Sequence, residues 1–375
     1  MHPSAKKFQR KRNKPVPSIP RYYRGSTIML LRKKIIHISS CLFVILLSTH
    51  CCFANELNRF QEIRSNINKG ISLYKEGRNK EALPYLEDII NSEIVHPDAY
   101  YVLGEIYYAR NELQKAIENW KIAQSQSPHD AIHSKIRKAK KELKLDEKLS
   151  DKISCNFVLK YDQDDAYSSE LVLHSLVNAY NELAYDFGLY ENSEFTVILY
   201  SNEDFTNILN VPSWAAAIYD GKIRIPFQYA SLNIDELEAI IRHELTHAIL
   251  HRIAGNNVPA WLHEGIAQYK DGVDDTEIRK TLKQAVNNNS LIPFNQLKTG
   301  FASFKEDNTK VKIAYAESLG FIEYLIDNYG FYTILDILNN FNNYSSLDEL
   351  FTSVYNLDLS QLENGWLEQL KLEYH

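Results

Sequence analysis

The sequence predicts an α+β protein, with an N-terminal α-helical array followed by a domain whose small mixed sheet gives way to a helical half. Three observations carry that expectation. Glycines and bulky apolar residues between 70 and 120 recur with a period of 34. Between 156 and 227, short apolar runs alternate with turn residues, and from Asp235 onward every strong apolar spacing is helical. With 45% apolar and 24% charged side chains, 375 residues suffice for two or three packed domains.

Residues 1–54 contain 11 Lys and Arg and no Asp or Glu. Met29-Leu30-Leu31-Arg32-Lys33-Lys34 leads into an apolar stretch from Ile35 to Ala54, closed by Cys52-Phe53-Ala54 before Asn55. A charged lead, an apolar core and a small-residue exit are the order of an export signal, with Met29 the expected initiator. The alternative is an uncleaved anchor, since about 20 apolar residues span a bilayer, although His37, Ser39, Ser40, Ser48, Thr49 and His50 dilute the run. His50 before Cys51 does not suit a lipoprotein box. Either way the body is expected to be exported, touching a membrane only through this segment. That body, 55–375, carries 31 basic against 48 acidic residues, and this acidity excludes a nucleic-acid groove. Cys155 is its single thiol, expected in a strand and inert.

The repeat pairs Gly70 with Gly104, Tyr74 with Tyr108, Gly77 with Asn111, Ala82 with Ala116 and Leu86 with Trp120. The second copy, with Tyr100, Leu103, Gly104, Tyr107, Ala116, Trp120, Ala123 and Pro128, resembles the tetratricopeptide pattern. Ile132, Ile136, Ala139 and Leu143 then form a capping helix, so the array covers 60–145. It is expected to dock a protein partner or to act as a spacer, and Leu145 to Asp151 reads as a linker.

The second domain, 153–375, opens with strands at Asn156 to Tyr161 and Thr196 to Tyr200 around a helix from Tyr167 to Phe187. A hairpin comes next: Ala216 to Tyr219, the turn Asp220-Gly221 of type I′ chemistry, and Lys222 to Phe227, which Pro226 marks as a sheet edge able to receive an extended peptide. In that strand Ile223, Ile225 and Phe227 face one way and Lys222 and Arg224 the other.

Asn233 to Glu236 starts a helix that reaches His243-Glu244-Leu245-Thr246-His247. Residues four apart share a helix face, so both imidazoles can address one ion. Glu244 lies about 100° around the axis from His243, beside that ion, where a general base is needed. Gly255-Asn256-Asn257 ends this helix, Pro259 starts the next, and Glu264, 17 positions after His247, becomes the third ligand from an antiparallel neighbour.

The H-E-x-x-H motif with Trp261-Leu262-x-Glu264-Gly265-x-Ala267-x-Tyr269 resembles the gluzincin zinc peptidases, in particular peptidase MA-like domains found beside tetratricopeptide repeats. The resemblance implies a zincin-like fold, Zn²⁺ held by His243, His247 and Glu264, Glu244 as catalytic base, and a peptide or protein substrate. It also points to the Ala314-Tyr315-Ala316-Glu317 segment, where this family often has a tyrosine, and so to Tyr315 as oxyanion donor; Tyr315 equally belongs to an apolar stripe with Val311, Ile322, Leu325 and Tyr329. Leu250 and Ile253 stand where a metzincin would need Gly and His. His251 and His263 are alternative ligands or helix-surface residues, Gln268 is a candidate to orient a ligand histidine, and Trp261 is a core residue. The implied activity is hydrolysis of peptide bonds by metal-activated water. The competing readings are an inactive peptidase fold used as an interaction module at the cell envelope, and a purely structural zinc site with four protein ligands.

Overall fold

The computed structural model describes residues 56–90, 96–189, 194–209, 217–230, 234–298, 301–304 and 307–374. The export or anchor segment lies outside these residues, and among those described no helix is long and apolar enough to cross a membrane. The chain divides into two compact units, Met1–Arg64 and Ser65–His375. Of the first, the described residues, 56–64, are helical.

Five helices open the second unit: α1 (65–75), α2 (Asn79–Glu87), α3 (Pro97–Ala109), α4 (Leu113–Gln126) and α5 (Asp130–Asp146). The 34-residue period is a duplicated helix pair. A Cβ on Gly70 would stand 2.6 Å from Leu86, and one on Gly104 would stand 2.2 Å from the Trp120 ring. The same small-against-large contact thus closes both pairs. Gly77 and Asn111 occupy the same left-handed turn position, with φ of 79° and 58°. Helix α5 packs Ile132, Ile136 and Ala139 inward.

The expected charged linker is shorter than its composition suggests. Helix α5 runs to Asp146, and strand β1 (Ser150–Ser154) begins within the segment that reads as connecting chain. β1 forms a hairpin with β2 (Phe157–Tyr161), and Cys155 sits exposed in its turn at φ 43°, not in a strand. Helix α6 (Ala166–Phe187) crosses to β3 (Phe195–Tyr200), parallel to β2. Helix α7 (Asn202–Leu209) precedes β4 (Ile218–Tyr219) and β5 (Ile223–Pro226).

The sheet order is β1-β2-β3-β5-β4. β5 therefore lies between β3, which it joins in parallel, and β4, which it joins antiparallel. This corrects the expectation that Lys222 to Phe227 is the edge: the two-residue β4 covers it, and Pro226 is tolerated because β4 pairs only with Ile223 and Arg224. Nor is the turn of type I′, which needs positive φ at both central residues. Only Gly221 has it, at 97°, and the loop spans Asp220 to Lys222.

The two sheet faces follow the strand period of two. Phe157, Leu159, Val197, Leu199, Ile223 and Ile225 join the main core with α6 and the long helix α9 (Ile234–Ala254), which comes after the short α8 (Phe227–Ala230). Ile198 and Tyr200 face the other way with Phe205 of α7, against Leu145 and Leu149. Lys222 and Arg224 share that second face, yet both are fully buried, because α3 and α5 of the array cover them. The helical half consists of α10 (Ala260–Asp271), α11 (Thr276–Asn287), α12 (Asn308–Tyr329), α13 (Phe331–Asn340), α14 (Leu347–Tyr355) and α15 (Leu359–Tyr374). Its centre is Trp261, whose ring meets Phe294 at 5.2 Å, Phe321 at 5.3 Å and Phe351 at 6.1 Å.

Candidate metal centre

Helix α9 is built to be buried. Leu237, Ile241, Leu245, Ala248 and Ile249 join the main core, leaving His243 and His247 on a half-buried stripe. Gly255 breaks the helix with φ 78°, Pro259 caps α10, and the chain returns with Glu264 facing the two imidazoles. His243 Nε2 lies 3.2 Å from His247 Nε2, and the Glu264 Oε2 oxygen lies 3.7 Å and 3.6 Å from them. All three donors fall within 4.8 Å of one another. Ligands about 2.0–2.2 Å from a zinc ion at tetrahedral angles stand roughly 3.3 Å apart, so this donor set fits Zn²⁺.

The opposite ring nitrogens support the same assignment. A ligand histidine needs Nε2 free and Nδ1–H donated to an acceptor. His243 Nδ1 has Asp271 Oδ2 at 3.3 Å, and His247 Nδ1 has His263 Nδ1 at 2.6 Å. Burial holds His263 down to about 3, reinforced by the neighbouring His247, so its ring is neutral and can accept. His263 is thus the hydrogen-bond partner of His247 rather than a member of the three-donor cluster. His251, one turn beyond His247, meets the Tyr219 ring edge-on at 5.8 Å.

Burial alone would lower His243, but hydrogen bonds to the Asp271 and Glu264 carboxylates outweigh it and raise the ring to about 10. Burial would raise Glu264, and its hydrogen bonds to both histidines hold it well below the ordinary carboxylate range. The locus between these side chains therefore stabilises positive charge. Glu244 is different: burial pushes it up, and the two histidines pull it back only partly. It is buried and is not one of the three clustered donors.

Helix α12 reaches the site because Gly265 lets it approach: a Cβ there would stand 2.3 Å from the Ser318 carbonyl oxygen. Tyr315 is half-buried, its ring edge-on to Phe301 at 5.0 Å. Burial, with Glu264 and Glu244 adding to it, keeps its hydroxyl protonated far above the ordinary range. Gln268 does not orient a ligand histidine. Its amide donates to the Glu264 and Tyr315 carbonyls, at 3.3 Å and 3.0 Å, and so ties α10 to α12. The histidine partner is Asp271, which neither motif singles out. A signal for it exists in the sequence: Glu264, Gln268 and Asp271 recur at helical spacing on one face of α10.

Two imidazoles and a carboxylate from consecutive antiparallel helices, with a second carboxylate on the first of them, form a cluster that could hold a divalent metal ion. The match of a family model places it more closely: the Peptidase MA superfamily model covers residues 176–372, and the chain belongs to that superfamily. A search of curated proteins gives no match.

Proposed function

We propose that this protein is an exported zinc peptidase of the gluzincin type, its N-terminal helix pairs a tetratricopeptide-like array. The supporting observation is the donor cluster itself: His243, His247 and Glu264 within 4.8 Å, each imidazole presenting Nε2 inward and Nδ1 to an acceptor. His243, His247 and Glu264 would hold the ion, and Zn²⁺ when bound supplies Lewis acidity toward water and the scissile carbonyl. Glu244 takes the proton of the attacking water and returns it to the leaving amine; burial, by raising its carboxyl, brings it closer to the pH at which both transfers occur. Tyr315, held protonated, is the donor for charge developing on the carbonyl oxygen. The substrate is a peptide or protein. Export rests on the charged lead and apolar run of residues 29–54.

The test is zinc per chain by elemental analysis, with hydrolysis of casein and of a peptide library before and after chelation. Glu244→Gln should retain zinc and fold while hydrolysis falls about 10²–10⁴-fold. Undiminished hydrolysis in that variant would falsify the assignment of the base.

A further inference from the structure

Helices α11, α12 and α15, with the segment from Leu291 to Phe294, line a cavity of about 310 Å³ that shares no residue with the His243, His247 and Glu264 cluster. Exposed Asn289 and Lys371 mark its mouth; Phe294, Trp366 and Glu317, at 3%, 2% and 0% exposure, mark its floor. A cavity of about 150 Å³ holds one benzene molecule, so this one has room for a small organic molecule of roughly twice that bulk.

Most of the wall is apolar, and two carboxyls interrupt it, Glu317 from α12 and the half-buried Glu363 from α15. Glu317 Oε1 accepts from the Ile292 N–H at 2.7 Å, while Oε2 is buried without a hydrogen-bond partner. Buried polar atoms are almost always paired, so an orphaned carboxyl oxygen in the wall of a cavity calls for a donor that the cavity receives. Lys371, at the mouth, does not reach it. Burial raises both carboxyls, Glu317 to about 8 with Glu363 adding to the effect, as expected of acids that lack a cationic partner. An occupant must therefore bring a donor to Oε2, positive charge to offset the two carboxyls, and an apolar body to cover the floor. A carboxylate would be repelled, and a neutral alcohol supplies the donor without the charge.

We propose that this cavity binds a small primary amine, its ammonium between Glu317 Oε2 and Glu363 and its hydrocarbon against Phe294, Trp366 and Leu370. The site is separate from the metal-ligand cluster, and the proposal holds whether or not the protein hydrolyses peptides.

The experiment is isothermal titration calorimetry on the full protein at pH 8 with three ligands of similar shape: 2-phenylethylamine, 2-phenylethanol and 3-phenylpropanoate. The amine should bind at one site per chain, about tenfold or more tighter than the alcohol, because its hydrogen bond to the carboxyl is charged. The propanoate should give no saturable heat. Glu317→Gln keeps the acceptor for Ile292 and loses the charge; it should cost the amine about tenfold in affinity and leave the alcohol within about threefold. If circular dichroism shows that this variant does not fold, Glu363→Gln, on the half-buried side of the wall, repeats the comparison. Amine affinity equal to that of the alcohol, or unchanged in the folded variant, overturns the proposal, and so does the absence of saturable amine binding.

Discussion

Glu317 on α12 offers a measurement of buried charge away from the candidate metal centre. Its side chain is 0% exposed; Oε1 accepts from the Ile292 N–H at 2.7 Å, and Oε2 has no partner. Burial raises its carboxyl to about 8, the Ile292 bond and nearby Glu363 being smaller effects. In the unfolded chain the same group titrates at about 4.3. Between those values the unfolded state releases the proton and the folded state keeps it, so stability is full below about pH 4.3 and is lost progressively as pH rises through the folded value. Taking 1.36 kcal/mol per pKa unit, the loss between pH 5 and pH 8 is about 2–4 kcal/mol. Glu317→Gln keeps the acceptor for Ile292 and cannot ionise. Urea unfolding at pH 5, 6, 7 and 8, read by tryptophan fluorescence, should find the variant within about 1 kcal/mol of wild type at pH 5. At pH 8 it should be the more stable protein. Because every other titrating group is common to both chains, it cancels in the difference. A difference that stays flat over that range would show that Glu317 is ionised in the fold, and the burial argument would fail.

Two more outcomes come from the contacts. Asp271→Asn removes the carboxylate facing His243 Nδ1 and should weaken zinc binding about 10–100-fold in chelator competition; unchanged affinity would dismiss Asp271 as the orienting group. Gly104→Ala would place a methyl 2.2 Å from the Trp120 ring, and urea unfolding should show about 1–3 kcal/mol of destabilisation. A neutral result would mean that the two helices of that pair separate freely.

The parts of this molecule legible in sequence are those specified by short-range periodicity. The 34-residue period locates the helix pairs because one contact, glycine against Leu86 or Trp120, occurs in both copies. H-E-x-x-H places two imidazoles together because four residues make about one helical turn. Glu264 comes from a second helix whose approach is marked by Gly255 and Pro259. The rest depends on tertiary neighbours. Pro226 reads as an edge signal, but strand order is decided by which strands pair, and β4 supplies only two residues to the outside. Cys155 adjoins a strand pattern and is the bend between two strands. His263 is visible as a neighbour of Glu264, yet only the packing of α9 on α10 turns its ring against His247, centroids 4.7 Å apart.

Lys222 and Arg224 show the same limit with a larger consequence. Alternation along 222–225 puts them on the face away from Ile223 and Ile225, and on an isolated sheet that face would be wet. An array joined by a loose linker would leave it so. Here only residues 147–149 separate α5 from β1, too few to let the helices swing clear. The sheet's second face therefore closes against α3 and α5. Enclosing two cations this way is unfavourable unless each finds a partner, since an unpaired buried charge costs about 3–5 kcal/mol. Glu142, Asp220, Asn111 and the Tyr108 and Tyr200 hydroxyls are those partners, drawn from both sides of the junction. A side chain whose sequence context reads as a solvated strand face thus reports an interface, and the array and the metal-site half share one set of buried charges.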